Sequence, residues 1–171
     1  CLDDYWRRGG TMQWVAQTDS RAETQEDGVR FCVGHGASAC FLHGGITDNY
    51  VAQGRTADLS RAVELIRSLG LPCGVAGHDL DALRWAEANL DVDFYMACYY
   101  NPSPRKGSPH HVPGGGERYT PQDRVERQAL IATLSRPAVH YKVLAAGRLP
   151  AEEALRDAAH HMRPQDAVCV G

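Results

Sequence analysis

The chain has 171 residues, a net charge of −3 at pH 7 and an isoelectric point near 6.2. Its charges are scattered, with no basic run that could follow a phosphate backbone, so we expect no nucleic-acid partner. No apolar run approaches the roughly 18–20 residues that span a bilayer. The first residues also lack the basic and apolar regions of a secretory leader. We therefore expect a cytoplasmic protein with a small-molecule substrate and no membrane partner, while the composition specifies no oligomeric state.

Short apolar runs alternate with amphipathic stretches along the chain, which is typical of strands alternating with helices. The apolar runs cover residues 12–17, 37–43, 71–78, 92–99, 137–144 and 166–171. The amphipathic stretches cover residues 23–34, 59–69, 80–88, 121–134 and 151–162. Nearly continuous apolar runs indicate parallel strands that are buried on both faces and joined by crossover helices.

Most predicted strands end in polar side chains that are capable of chemistry, among them His43, His78 and Lys142. A closed barrel brings all its strand ends to one mouth, whereas an open sheet gathers only those beside its switch point. We therefore predict that residues 1–171 form a single domain, a (β/α)8 TIM barrel. Six strands and a strand stub at residues 1 and 2 fall short of eight, so we expect an incomplete barrel without its first strand and last helix.

Residues 102–120 lack hydrophobic periodicity and are rich in glycine, proline, serine and charged residues. A segment of this length after a barrel strand is more often a loop over the site than a linker between domains. We predict that it forms a long loop over the barrel mouth.

Two histidines close predicted strands. His43 is followed by Gly44 and Gly45, which permit a sharp turn that leaves the imidazole at the mouth. The alternative is a histidine whose ring is satisfied by the backbone of a tight turn. His78 repeats the arrangement one strand later, and Asp79 after it is interpreted as the N-cap of the next helix.

Tyr5 and Lys142 are further candidates for chemistry. Tyr5 lies beside Asp3 and Asp4, and it could act as a proton donor if a neighbour adjusts its pKa; otherwise it packs with Trp6. Lys142 lies in an apolar run, where desolvation would lower its pKa and make it a nucleophile toward carbonyls. The alternative for Lys142 is a structural ion pair with a strand-end carboxylate.

Five segments carry motifs at or near the ends of predicted strands: residues 41–43 (FLH), 70–78, 91–102 with its Tyr-Asn-Pro ending, 141–149 and 166–171. In this order they resemble the fourth to the eighth strand of the aldo-keto reductases. Residues 41–43 are similar to the Leu-Leu-His end of that family's fourth strand, and residues 91–102 resemble its sixth strand, which ends in Tyr-Asn-Pro.

The resemblance implies an oxidoreductase that acts on a small carbonyl or sugar-like substrate with NADP as cofactor. The candidate catalytic residues are Asp3, Tyr5, His43 and Lys142, and the candidate cofactor-binding residues are His78, Tyr100 and Tyr141. Gln17-Thr18 stands where the family's lysine closes the third strand, and Ala76-Gly77 replaces the Ser-Asn pair that binds the carboxamide. The resemblance therefore predicts a weakened NADP site.

Two other functions fit the same residues. One is a lyase or isomerase without nicotinamide, in which Lys142 forms a Schiff base or Asp3, His43 and His78 share a divalent metal. The other is a barrel that binds a ligand without catalysis. In each case we expect Asp3, His43, His78, Tyr100 and Tyr141 to line one cavity. Neighbouring residues of a strand point to opposite faces, so Tyr141 and Lys142 should not both face it.

Overall fold

The computed structural model describes residues 2–19, 24–101 and 119–170. Within these ranges six strands form one sheet: β1 (Val15–Gln17), β2 (Ala39–Leu42), β3 (Cys73–Gly77), β4 (Phe94–Cys98), β5 (Ala138–Tyr141) and β6 (Ala167–Val168). Each strand lies inside one of the predicted apolar runs and is a few residues shorter than the run. The six predicted strands are confirmed.

Seven α-helices lie in the described ranges: α1 (Leu2–Arg7), α2 (Gln25–Gly34), α3 (Gly44–Ala52), α4 (Thr56–Ser68), α5 (Leu80–Asn89), α6 (Pro121–Ile131) and α7 (Ala151–His161). A short 3-10 helix covers Ala145–Gly147. The five predicted helices correspond to α2, α4, α5, α6 and α7. Among the described residues, no helix combines the length and apolar character needed to cross a membrane.

The strands pair only with their neighbours along the chain, and every pairing is parallel. The predicted strand order is therefore confirmed. Among the described residues, β1 pairs with β2 alone and β6 with β5 alone, so the sheet is a curled, open half-barrel. The predicted (β/α)8 TIM barrel is wrong. Polar residues after each strand do not distinguish the two architectures, because the parallel strands of an open sheet also end at one edge.

The structure has two helices where the sequence predicted none. Leu2 begins α1, so the predicted strand stub is wrong at this residue, and residue 1 lies outside the described residues. Asp3 and Asp4 occupy the first turn of α1, where carboxylates interact favourably with the helix dipole. Helix α3 begins directly at Gly44, where the sequence predicted only a turn.

Helix α4 shows how the helices attach to the sheet. It contacts β2 and β3 and buries Leu59, Ala62, Val63 and Ile66, which recur at helical spacing. Burial of each of the three larger side chains, Leu59, Val63 and Ile66, contributes about 1.5–3 kcal/mol. Gly70 follows the helix with a φ of +75°, a left-handed conformation that favours glycine at the end of a helix.

The predicted loop over the mouth falls mostly on residues 102–118, which lie outside the described residues. Tyr119 and Thr120, its last two residues, are described. The Thr120 hydroxyl accepts a hydrogen bond from the Asp123 N–H at 3.1 Å and so caps the start of α6.

A buried carboxylate holds β5 and β6 together. Asp166 precedes β6, and its side chain is fully buried. It accepts hydrogen bonds from the Ala138 N–H at 2.8 Å and from the Arg163 guanidinium at 2.9 and 3.0 Å. The His140 Nε2 lies 3.2 Å from Asp166, and the Tyr99 hydroxyl lies 3.0 Å from His140 Nδ1. One buried network thus connects three side chains: Tyr99 just after β4, His140 in β5 and Asp166 just before β6.

We expect Asp166→Asn to lower the free energy of unfolding by about 3 kcal/mol, because it leaves the Arg163 charge without its buried partner. Urea denaturation at pH 7 measures the change. The matched control is Asp81→Asn, which removes an exposed ion pair with Arg84 at 2.9 Å. The control should lose less than about 1 kcal/mol. Equal losses in the two variants would contradict the assigned role of Asp166.

The same network makes stability depend on pH. Burial lowers the pKa of His140 below its ordinary value, against the opposing effect of Asp166. Burial alone would raise the pKa of Asp166, but hydrogen bonds from Arg163, Ala138 and His140 hold it well below its ordinary value. Both groups bind protons more readily in the unfolded chain. Their contributions are therefore lost as the pH falls, first that of His140 below about 6.5 and then that of Asp166 below about 4.

We expect the free energy of unfolding to decrease between pH 7 and pH 5, and His140→Gln to reduce the steepness of this decrease because it removes the titrating ring. Urea denaturation at half-unit pH steps gives the slope. His35→Gln changes an exposed histidine and should keep the wild-type slope. A slope in His140→Gln as steep as in the wild type would show that other groups control the pH dependence.

Candidate functional site

We call the side of the sheet where the strands finish the carboxyl edge; Gln17, Leu42, Gly77, Cys98 and Tyr141 are the last residues of β1 to β5. The structure brings His43, His78 and Tyr141 to this edge, as their positions after or at the ends of strands predicted. It adds Asp48, from the second turn of α3, which the sequence analysis did not identify.

Asp48 and His78 form a buried pair at the end of β3. Asp48 is 5% exposed and His78 is 7% exposed. The Asp48 Oδ2 lies 2.9 Å from His78 Nδ1, and its Oδ1 accepts hydrogen bonds from the N–H groups of His78 at 2.9 Å and Asp79 at 3.0 Å. A carboxylate can only accept, so Nδ1 carries a proton, and in the neutral ring Nε2 carries the lone pair. The pair thus holds an imidazole as an oriented proton acceptor.

Two glycines make room for this pair. A Cβ on Gly44 would lie 2.8 Å from Cε1 of His78, closer than real contacts allow. A Cβ on Gly77 would lie 2.9 Å from Cγ of Leu83 and 3.5 Å from Oδ1 of Asp48. Gly44 therefore serves close packing between α3 and the His78 ring, beyond the sharp turn that the sequence suggested.

His43 caps α3. Its Nδ1 accepts a hydrogen bond from the Gly45 N–H at 3.1 Å, so in the neutral ring the proton resides on Nε2. The His43 N–H donates to the Thr18 hydroxyl at 3.0 Å, and that hydroxyl donates to Oε1 of the buried Gln25 at 3.0 Å. This is the backbone-satisfied geometry that the sequence left open as the alternative. His43 and His78 consequently hold their protons on different ring nitrogens.

Tyr141 and Lys142 line one small cavity of about 280 Å³ together with Tyr119. The Tyr141 ring meets the His78 ring edge-on, with centroids 6.1 Å apart. The Lys142 Nζ lies 5.6 Å from the Tyr141 ring centroid. The expectation that Tyr141 and Lys142 point to opposite faces is wrong, because β5 ends at Tyr141 and Lys142 has a φ of +59°, which breaks the alternation of the strand.

Tyr100 lies beside this cavity. It is 2% exposed, and its ring packs on Tyr119 with centroids 5.3 Å apart. Burial raises the pKa of Tyr100 above its ordinary value, with Arg124 acting in the opposite direction. Tyr119 in turn carries the Arg148 guanidinium 4.2 Å from its ring centroid. Tyr100 therefore supports the wall of the cavity as a neutral phenol.

Asp3 and Tyr5 lie elsewhere. Both are on α1, where the Tyr5 hydroxyl accepts hydrogen bonds from the N–H groups of Thr11 and Met12 at 3.2 Å each. The neighbouring Trp6 ring approaches Gly36, just ahead of β2. These contacts place α1 near the starts of β1 and β2. Asp3 and Tyr5 thus do not join His43 and His78 at the carboxyl edge.

The proposed metal ligands are consequently not assembled as the sequence suggested, because Asp3 is separated from His43 and His78. In residues 2–19, 24–101 and 119–170, no group of three or more histidine, cysteine, aspartate or glutamate side chains is arranged to hold a metal ion. One sequence signal points to the carboxylate that does contact His78. Asp48 lies five residues after His43, within reach of the next strand end once residues 44–52 are helical.

We expect Gly44→Ala to displace the His78 ring and to lower the free energy of unfolding by about 1–3 kcal/mol, because the added methyl group overpacks a buried contact. Gly34→Ala is the matched control, since Gly34 is also helical and a Cβ there would meet nothing within 4 Å. The control should leave stability unchanged or raise it by up to about 1 kcal/mol. Urea denaturation measures the stability of the two variants, and NMR follows the chemical shifts of the His78 ring. Equal changes in the two variants would contradict the close packing of Gly44 against His78.

Comparisons with known proteins give no match: no protein-family model, no curated protein and no solved structure matches the chain. The resemblance to aldo-keto reductases therefore stays a prediction. The residues of the carboxyl edge are the basis on which a function can be inferred.

Proposed function

We propose that this chain catalyses proton transfer on a small carbonyl or sugar-like substrate, as an isomerase or lyase that needs no nicotinamide. The observation that carries the proposal is the buried Asp48–His78 pair, with 2.9 Å between Oδ2 and Nδ1. A carboxylate that fixes the tautomer of a histidine prepares Nε2 to act as a general base and then as a general acid. Such pairs contribute typically 10²–10⁴-fold to a reaction rate.

The proposed reaction uses the two histidines in different roles. His78 Nε2 takes a proton from the carbon next to the carbonyl, and the electron pair of that C–H bond moves to the carbonyl oxygen as an enolate forms. His43, with its proton on Nε2, is the proposed hydrogen-bond donor to this oxygen. The protonated His78 then returns the proton to the former carbonyl carbon. At the same time the hydroxyl group on the neighbouring carbon gives up its proton and becomes the new carbonyl, and the enolate oxygen takes up a proton and becomes a hydroxyl. The isomerisation is thus complete with no net change in protons or electrons.

A small cavity lies beside His78 and supports the class of substrate. His78 is not one of its lining residues, but Tyr141 lines it and meets the His78 ring edge-on. The cavity's volume of about 280 Å³ lies just below the roughly 300–1,000 Å³ of drug-sized sites, which favours a ligand of a few carbon atoms. Lys142 lines this cavity, and an ammonium group at this position favours a developing enolate. Lys142 is also positioned for the second route that the sequence suggested, a Schiff base with the carbonyl carbon.

We expect the wild-type chain to incorporate deuterium next to the carbonyl of at least one of glyceraldehyde, dihydroxyacetone, xylose and fructose in D₂O, as followed by proton NMR. His78→Gln and Asp48→Asn should lower the exchange rate by about 100-fold or more, because each removes part of the oriented base. His160→Gln, at an exposed histidine on α7, is the control and should keep the wild-type rate.

Two results would contradict the proposal: no exchange by the wild type with any of the four sugars, or exchange by His78→Gln at the wild-type rate. Treatment with borohydride in the presence of the reactive sugar tests the Schiff-base route. A mass increase on Lys142 would assign the reaction to that route.

The NADP-dependent reductase is the second proposal. It is supported by the order of the strand motifs and by the proximity of Tyr141 to His78, two of the candidate cofactor-binding residues. The same sugars with NADPH separate the proposals, since a reductase consumes NADPH at 340 nm and the isomerase exchanges protons without it. Each missing hydrogen bond to the carboxamide costs about 1–3 kcal/mol, so this proposal expects weak NADPH binding in a tryptophan-fluorescence titration.

A further inference from the structure

Helix α6 carries two arginines on the face that it turns toward β4. Arg124 and Arg127 are three residues apart and therefore lie on one side of the helix. Helix α6 contacts β4, and Arg127 is 5% exposed. Burial raises the pKa of the Cys98 thiol at the end of β4, and the nearby charge of Arg127 acts against this rise. Two guanidinium groups thus lie against the carboxyl end of β4.

Some buried donors of these guanidinium groups have no acceptor among residues 2–19, 24–101 and 119–170. They are Nε and Nη1 of Arg127 and Nε of Arg124, which are shielded from solvent. The carboxylates that the structure describes beside these arginines approach other nitrogens: Asp123 Oδ1 is 3.8 Å from Arg127 Nη2, and Asp157 Oδ2 is 3.7 Å from Arg124 Nη1. Both separations exceed the 2.7–3.2 Å of ordinary N–H···O hydrogen bonds. The ion pairs consequently leave the hydrogen-bonding capacity of the buried guanidinium unused.

A buried guanidinium whose N–H donors lack acceptors is costly, and folded proteins satisfy nearly all such donors with a protein atom, a water or an ion. The planar fork of arginine matches the oxygens of phosphate and carboxylate groups. We propose that Arg127, assisted by Arg124, forms a binding site for a phosphate-sized oxyanion between α6 and the carboxyl end of β4.

The site lies close to the small cavity. Tyr100, whose pKa responds to the charge of Arg124, packs on Tyr119, and Tyr119 lines that cavity. The oxyanion site does not depend on the proposed proton-transfer reaction. If both are correct, the two together specify a small carbonyl compound that carries a phosphate group.

Thermal unfolding of the whole chain in phosphate or in chloride at the same ionic strength tests the site. Phosphate at about 100 times its dissociation constant should raise the midpoint of the wild type by about 5 °C or more. Arg127→Met should unfold at a higher temperature than the wild type in chloride, because it removes a buried charge whose N–H donors lack acceptors, and it should not respond to phosphate. Arg156→Met, at an exposed ion pair with Glu152, is the control and should respond like the wild type.

A second arm replaces inorganic phosphate with glycerol 3-phosphate, and the ligand with the larger shift identifies the source of the oxyanion. The proposal is overturned if the wild type unfolds at one temperature in phosphate and chloride, which would assign the unpaired donors to water. It is also overturned if Arg127→Met loses stability in chloride as a structural arginine would. Should Arg127→Met fail to fold, Arg124→Met decides, since it must lose at least half of the phosphate shift.

Discussion

The carboxylate of Asp48 is the interaction on which the carboxyl edge depends. A buried charge costs several kcal/mol unless hydrogen bonds compensate it. Here the compensation comes from three N–H groups of two consecutive residues, His78 and Asp79. Asp79 in turn caps α5 through its own side chain, which accepts from the Asp81 N–H at 3.0 Å. One carboxylate therefore connects α3, the end of β3 and the start of α5.

The elements of the fold could be predicted from the sequence because their signals are local. The hydrophobic pattern within one segment predicts that segment's structure without reference to the rest of the chain. Examples are the apolar run at residues 71–78 and the buried stripe of Leu59, Val63 and Ile66. Closure of the sheet is different in kind. It depends on whether β1 and β6 meet, and nothing in the period of either strand encodes that contact. Helix α3 was missed as well. Gly44 and Gly45 form its first turn, and because glycine disfavours helices, the stability of α3 must come from tertiary packing, which the local sequence does not reveal.

The candidate site was predictable to the extent that strand ends determine it. His78 and Tyr141 reach the carboxyl edge because parallel strands finish on the same side. Asp48 was missed because its partner is 30 residues away in the chain and no strand-end rule includes a helix residue. Asp3 and Tyr5 were misplaced for a related reason, since a strand was assumed where a helix of six residues lies near the opposite edge. The sequence pattern of α6 does not separate Arg124 and Arg127 from the exposed charged residues of the same helix. Their burial in the structure does.

The left-handed conformation of Lys142 has a consequence for how this protein can change over time. A side chain in that region costs roughly 1–2 kcal/mol relative to glycine, and Lys142 is joined by Ala145 and Ala146, with φ values of +51° and +53°. Replacement of Lys142 by glycine would relieve this strain and at the same time remove the amine from the cavity. Evolutionary change to glycine at this position would therefore exchange the amine for a more stable backbone.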